Sequence, residues 1–346
     1  MSDEEYMHYA LALAKKGNQY AAPNPMVGAV IVYNNVIIGQ GYHQKHGEAH
    51  AEVNAVNSVE DKSVLSQAII YVTLEPCAHT GKTPPCADLI VKHNFKRCVI
   101  GCLDTFSEVS GKGIERLKRA GVDVEVGLLE NECRALNKRF FTYHEKKRPF
   151  VILKWAQTLD GFIDREEQER KPGINWITQP ETKQLVHQWR SEEQAILVGW
   201  KTIVNDNPSL TVREVKGKNP HRYVVDPDFK SKGDFKVYTD GLPTTVFVKS
   251  NTLVPTLPHT VFVPLSSFNV REMLMVIYEN EKTSVFVEGG KYTLERFIEY
   301  NLWDEARILT GNTRFGTGVK APKISGRTEI IEPTYTADQL TRIKNK

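Results

Sequence analysis

Apolar and polar positions alternate along the chain in blocks whose period switches between helix and strand. MSDEEYMHYALALAKKG has helical spacing, with Ser2 and Glu5 forming a capping box at its start. AAPNPMVGAVIVYNNVIIGQGYH predicts two short strands turning at Asn34-Asn35. EAHAEVNAVNSV is helical again. AIIYVTLEPC is a β-rich run that stops at Pro76, and PPCADLIVKHN opens a helix behind Pro84 and Pro85. RCVIGCLD reads as a strand, GIERLKRAG as a helix closed by Gly121, and VDVEVGLL as a further strand. The charged stretch HEKKRPF, residues 144–150, breaks the pattern and reads as a linker. After it come strand FVILKWA, helix PETKQLVHQWRS, and strands AILVG, HRYVVD, TTVFVKS and HTVFVPL. Helix NVREMLMVIYENE, strand SVFVEGG, helix YTLERFIEY and strand ARILTG complete the series, and the tail TRIKNK reads as a solvated end. No repeat of fixed period is present. The pattern is α/β throughout, with covered sheets.

At 346 residues the chain is long enough for two domains, which the linker places at 1–146 and 149–346. Hydrophobic residues are 40% and charged residues 25%, which excludes wholesale disorder, and 23 Gly with 17 Pro excludes a collagen-like or low-complexity chain. The net charge of +3 is not gathered into a block, so no nucleic-acid partner is expected. No run reaches the ~18 apolar residues of a membrane span, and the acidic start lacks a secretory pattern. The five cysteines then read as reduced thiols in a cytoplasmic protein.

Candidate chemistry enters at His50-Ala51-Glu52, Pro76-Cys77 and Pro85-Cys86. One histidine and two thiolates can hold zinc tetrahedrally, one ion per chain, and leave a fourth position for water. Glu52, beside that water at the first turn of a helix, suits a proton shuttle to a leaving amine. Taken singly, the motif pieces are ordinary: a histidine and glutamate at a helix start are usually a surface pair, and spaced cysteines usually small core residues. Their order matches the H-x-E…P-C-x-x-C pattern of zinc deaminases, except that eight residues separate the cysteines. Cys98, Cys102 and Cys133 have no such context and read as core.

The stretches PNPMVGAVIV, GYHQKHGEAHAEVNAV and YVTLEPCAHTGKTPPCADLI resemble the amino-terminal half of bacterial bifunctional riboflavin biosynthesis deaminase–reductases. The resemblance implies a cytidine-deaminase-like α/β/α domain that removes an amine from 2,5-diamino-6-ribosylamino-4(3H)-pyrimidinone 5′-phosphate. It implies His50, Cys77 and Cys86 as zinc ligands, Glu52 as the catalytic proton shuttle, and Asn24, His43, His79 and Lys82 facing substrate. Asn24 can read a pyrimidine edge and Lys82 suits a phosphate; a turn residue before Pro25 is the plainer reading of Asn24. The family commonly has Asp-Pro-Asn-Pro where this chain has Asp104-Thr105-Phe106-Ser107, while Gly111-Lys112-Gly113 is kept.

By itself the second half offers VFVEGGKYTLERF, a strand, a glycine pair and a helix start that could receive a phosphate or simply turn. The resemblance continues through LKWAQTLDG, NWIT, WRSEEQAILVG, TIVNDNPSLTVR, VVD and FVEGG. It implies a dihydrofolate-reductase-like α/β domain that uses NADPH to reduce the ribosyl side chain to ribityl. Implied cofactor contacts are Ala156, Trp176, Thr202, Asp206, Gly290 and Lys291; implied substrate contacts are Arg190, Leu210, Arg213 and Glu288. Two arginines suit a phosphate-bearing sugar, Glu288 could bind ribose hydroxyls, and Asp160 is either a turn residue or lines the site. Ile174 and Pro227 stand where the family often has serines. Lys249, at the end of TTVFVK, is a candidate for the 2′-phosphate of NADPH, or the start of a polar loop. Partners are then a pyrimidine ribosyl phosphate and, as an open possibility, a second copy of the chain. Two rival readings stand: a nucleic-acid-editing zinc deaminase with an appended domain, and a non-catalytic structural zinc module.

Overall fold

A computed structural model describes residues 1–18, 20–78, 84–105, 111–166, 175–331 and 337–345. It divides into two compact units, Met1–Lys147 and Arg148–Lys346.

The first unit begins with α1 (Asp3–Ala14), whose Ser2–Glu5 capping box is formed. Strands β1 (Gly28–Tyr33) and β2 (Val36–Tyr42) turn at Asn34 and Asn35, both with positive φ, a backbone region that asparagine tolerates. Then come α2 (Ala51–Asn57), β3 (Ile69–Leu74), α3 (Cys86–Lys92), β4 (Arg97–Cys102), α4 (Lys112–Arg119), β5 (Asp123–Val126), α5 (Glu130–Leu136) and α6 (Lys138–Lys146). The sheet order is β2-β1-β3-β4-β5, antiparallel at β1 and parallel from β3 to β5. Alternation along β3 splits the core. Ile70 and Val72 meet α2, α3 and α4, whereas Tyr71 meets α1, α5 and α6. The result is a three-layer α/β/α domain. Of the expected linker 144–150, only residues 147–149 lie outside regular elements, because α6, whose apolar face is buried through Phe140 and Phe141, runs to Lys146 and β6 begins at Phe150.

The second unit contains β6 (Phe150–Gln157), β7 (Phe162–Asp164), α7 (Thr182–Glu192), β8 (Ala195–Gly199), α8 (Trp200–Asp206), β9 (His221–Val225), α9 (Lys236–Thr239), β10 (Thr244–Lys249) and β11 (Thr260–Leu265). It continues with α10 (Val270–Glu279), β12 (Ser284–Val287), α11 (Lys291–Glu299), β13 (Glu305–Thr310), β14 (Val319–Lys320), β15 (Arg327–Ile331) and β16 (Gln339–Lys344). Nine strands form one sheet, β11-β10-β9-β8-β12-β6-β13-β16-β15, parallel from β11 to β13 and antiparallel at β16 and β15. Helices cover both faces, α10 and α11 on one, α7, α8 and α9 on the other. The tail is therefore not a solvated end. Leu340 and Ile343, three apart on β16, enter the cores on opposite faces, and Arg342 and Lys344 lie near Glu305 (3.6 Å) and Glu329 (3.0 Å). Among the described residues no helix is long and apolar enough to cross a membrane.

Candidate functional site

In the first unit the carboxyl end of β3 and the starts of α2 and α3 converge. His50 is the N-cap of α2 in extended conformation, Cys77 follows β3, and Cys86 is the first residue of α3 behind Pro85. His50 Nδ1 lies 3.6 Å from Cys77 Sγ and 3.3 Å from Cys86 Sγ, and the three donor atoms lie within 4.8 Å of one another. Zinc bonds of about 2.1 Å to nitrogen and 2.3 Å to sulfur put tetrahedral ligands about 3.6 Å apart, so this soft donor set fits zinc. The Cys86 thiol, His50 and the Cys86 backbone N–H, 3.3 Å from Cys77 Sγ, hold Cys77 well below the usual thiol range. Cys86, hydrogen-bonded to that sulfur and buried, is held above it.

Glu52 is buried in the first turn of α2. Burial, with the Cys77 thiolate nearby, pushes its carboxyl up to about 7, the range in which a carboxyl both takes and gives a proton near neutrality. Asn24 and His43 adjoin the trio. Asn24 Nδ2 lies 3.1 Å from His43 Nε2, and the His43 ring stands edge-on to His50 at 5.4 Å. Burial holds the His43 imidazole below its ordinary value. His79 and Lys82 lie outside the described residues, as do Phe106 and Ser107.

Glu75 is a residue that the sequence reading missed. Its buried carboxylate accepts backbone N–H groups from Asp104 (3.3 Å), Gly111 (3.0 Å), Gly113 (3.1 Å) and Ile114 (3.4 Å), tying α4 to the strand end that carries Cys77. A side chain at Gly113 would sit 2.0 Å from the Pro76 carbonyl oxygen, so only glycine allows this approach. A glutamate after a strand ordinarily reads as surface; its place two residues before Cys77 was the one available signal.

In the second unit a cleft of about 1500 Å³ opens at the carboxyl ends of β6, β8, β9, β10 and β12, where open α/β sheets bind ligands. All six expected cofactor residues line it: Ala156, Trp176, Thr202, Asp206, Gly290 and Lys291. So do Arg190, Leu210, Arg213 and Glu288, and also Pro227 and Lys249. A side chain on Gly289 would come within 2.6 Å of Thr293 Cβ, and one on Gly290 would meet only Thr202 Oγ1, at 4.0 Å. Bare main chain therefore leads into the nine-residue helix α11, a fit for a dinucleotide phosphate. The cleft exceeds the ~300–1,000 Å³ of ordinary ligand pockets and has room for two ligands together.

Several contacts differ from expectation. Arg190 does not keep its fork open: Nε and Nη2 bind Glu288 at 2.9 and 2.6 Å, and Nη1 reaches the Thr211 carbonyl at 3.3 Å. Burial would raise the Glu288 carboxyl, but Arg190 and Lys154 beside it outweigh burial and hold it at about 2. Leu210 turns its side chain into the core, so its main chain, with φ at 55°, is what remains to touch a ligand. Asp160 is a turn residue, accepting from Thr158 Oγ1 (2.5 Å) and from the Phe315 and Gly316 N–H groups. Lys249 Nζ donates to Asp228 at 2.9 Å. Ile174 is outside the described residues.

Two further cleft residues were missed, Lys154 and His187. A lysine inside the apolar run FVILKWAQ was a usable signal; desolvation lowers its ammonium. Burial, with Arg190 and Arg213 adjacent, lowers His187 to about 4, and its Nδ1 accepts the Arg213 N–H at 3.0 Å.

Comparison with known proteins gives consistent matches over both units. Residues 149–345 match the family described as RibD C-terminal domain, and residues 1–102 match the cytidine and deoxycytidylate deaminase zinc-binding region. Riboflavin biosynthesis protein RibD of Aquifex aeolicus is 41% identical over 322 residues, covering 92% of this chain and 89% of that one. The protein of the same name from Bacillus amyloliquefaciens is 40% identical, covering 99% and 94%. Among solved structures, the Thermotoga maritima diaminohydroxyphosphoribosylaminopyrimidine deaminase/5-amino-6-(5-phosphoribosylamino)uracil reductase superposes with a TM-score of 0.87 at 35% identity, covering 99% and 98%.

Proposed function

The chain belongs to the riboflavin biosynthesis RibD family, a deaminase joined to a reductase, and from that premise we propose how its own residues divide the two reactions. The observation that carries the reading is the convergence of His50, Cys77 and Cys86 on one point beside buried Glu52.

The first unit, residues 1–146, is the pyrimidine deaminase. His50, Cys77 and Cys86 hold one zinc ion, which supplies an activated water. Asn24 reads the ring edge; His43, His79 and Lys82 are the other substrate contacts of this reading, Lys82 as the cation for the phosphate. Glu52 takes a proton on its carboxylate and passes it to the departing amine; a C–N bond breaks, a C–O bond forms and ammonia leaves.

The second unit, from residue 149 on, is the reductase. Ala156, Trp176, Thr202, Asp206, Gly290 and Lys291 hold NADPH, which supplies hydride for the sugar carbon. Arg213 binds the substrate phosphate, and the Leu210 main chain borders it. Glu288 accepts from ribose hydroxyls, and Arg190 works through Glu288, keeping that carboxylate charged and aimed. Lys249 serves the 2′-phosphate of NADPH, in competition with Asp228. A cytoplasmic location belongs to this reading, because Cys77 and Cys86 must stay reduced to hold the metal, and all five cysteines are free. The full-length match to bifunctional relatives does not favour the nucleic-acid-editing or structural-zinc alternatives.

The test is incubation of the purified protein with the diaminopyrimidinone ribosyl phosphate, followed by mass spectrometry. Ammonia release without cofactor and a two-hydrogen gain only with NADPH are expected. Absence of ammonia release from zinc-loaded protein sinks the reading.

A further inference from the structure

His46 was not singled out by the motifs, yet it ends a hydrogen-bond chain that runs through Asn24 and His43 to the Ala49 carbonyl, next to the metal-site His50. It stands exposed in the turn that leads to α2, where its backbone N–H donates to the Tyr20 carbonyl at 3.0 Å. Its Nδ1 lies 3.2 Å from Asn24 Oδ1. Asn24 Nδ2 lies 3.1 Å from His43 Nε2, and His43 Nδ1 lies 3.1 Å from the Ala49 carbonyl oxygen.

With a neutral His43 ring, one polarity satisfies all three contacts. A carbonyl oxygen can only accept, so His43 Nδ1 carries the hydrogen there. In the neutral ring Nε2 is then an acceptor, and Asn24 must turn its nitrogen toward it. The amide oxygen is thereby turned toward His46, whose Nδ1 must donate. The reverse amide orientation would set oxygen against the His43 lone pair and nitrogen against the His46 N–H, losing both bonds. One Asn24 N–H and one oxygen lone pair are left over, in a fixed order.

We propose that His46 is a positioning residue that locks the Asn24 carboxamide, so that this side chain offers the pyrimidine ring a donor and an acceptor in one orientation only. The inference rests on the reading that Asn24 faces substrate. His46 touches neither the ring nor the metal ligands; it acts through Asn24, and His43 supplies the opposing half of the clamp.

The isosteric pair His46→Asn and His46→Asp tests this in the full-length, zinc-loaded protein. Asparagine can place an N–H close to where Nδ1 stood, whereas aspartate offers only acceptors. Deamination by H46N is expected to keep KM within about threefold of the parent. H46D should raise KM about tenfold, the factor one hydrogen bond controls, with kcat less affected. Repeating H46D in ~0.5 M salt, where an exposed charge is largely screened, separates hydrogen-bond direction from repulsion of the substrate phosphate. Zinc content and reductase activity report on folding and should match the parent in both variants. Equal KM values for H46N and H46D, or recovery of H46D at high salt, overturn the proposal. Asn24→Ala distinguishes the two levels: an unchanged KM there removes Asn24 from the substrate site, whereas a raised KM with indifferent His46 variants removes only the clamp.

Discussion

Glu52 and the three metal donors make separable predictions because they do different things to one point in space. Glu52→Gln keeps the volume and removes the proposed proton carrier, so zinc content should stay near one per chain while ammonia release falls by at least about 100-fold. Cys86→Ser should lose metal and deamination together, as read by metal analysis beside the ammonia assay. Arg190 and Glu288, 12% and 10% exposed, form a nearly dry pair in the second unit. Removing one partner strands the other, so Glu288→Gln should cost about 3–5 kcal/mol of that unit's stability by thermal melting. The Glu288 carboxyl lies below its ordinary value of about 4.3, so its contribution is complete above that pH and lost as pH falls toward about 2. Melting between pH 6 and 3 should therefore decline less steeply in the Gln variant. Lys249 is half exposed and already held by Asp228, so Lys249→Ala should weaken NADPH by only about 1 kcal/mol and leave NADH unchanged in parallel titrations. An equal loss for both cofactors removes it from the 2′-phosphate.

At the scale of elements, what the sequence made legible and what it hid follow from where charge is satisfied. Strands such as AIIYVTL and AILVG are covered on both faces and show unbroken apolar runs, so period and length identify them. His50, Cys77 and Cys86 were legible because each sits at an element boundary with its own mark, a helix start or a proline. The last strand was hidden. QLTRIK has only two buried apolar residues, Leu340 and Ile343, and its cations look solvated until Glu305 and Glu329 on neighbouring strands are known. The Arg190–Glu288 pair was hidden for the same reason: 98 residues separate the partners, and each alone resembles a ligand contact. Ile343 is 6% exposed in the larger core, so Ile343→Ala should cost about 2–5 kcal/mol and lower the melting of the second unit alone. An unchanged melt would mean that β16 contributes little.

At the scale of the whole molecule, each unit has its own sheet and its own buried clusters. A fragment ending at Lys147 should fold, bind zinc and deaminate, and a chelator should abolish deamination in the full chain while sparing the reductase reaction. A folded, zinc-loaded fragment without deaminase activity would mean that the first site needs the second unit. The position of β16 also bears on how the protein is made. This strand lies between β13 and β15, so the nine-stranded sheet has an open seam until residues 339–344 have left the ribosome. The first unit is complete once Lys147 has emerged, and the stretch from Arg148 to Lys344 adds 197 residues. At about 5–20 residues per second that stretch takes roughly 10–40 s. The deaminase half can thus fold and load its metal while the reductase half is still a nascent chain with unpaired strand edges, the interval in which a holding chaperone would matter most.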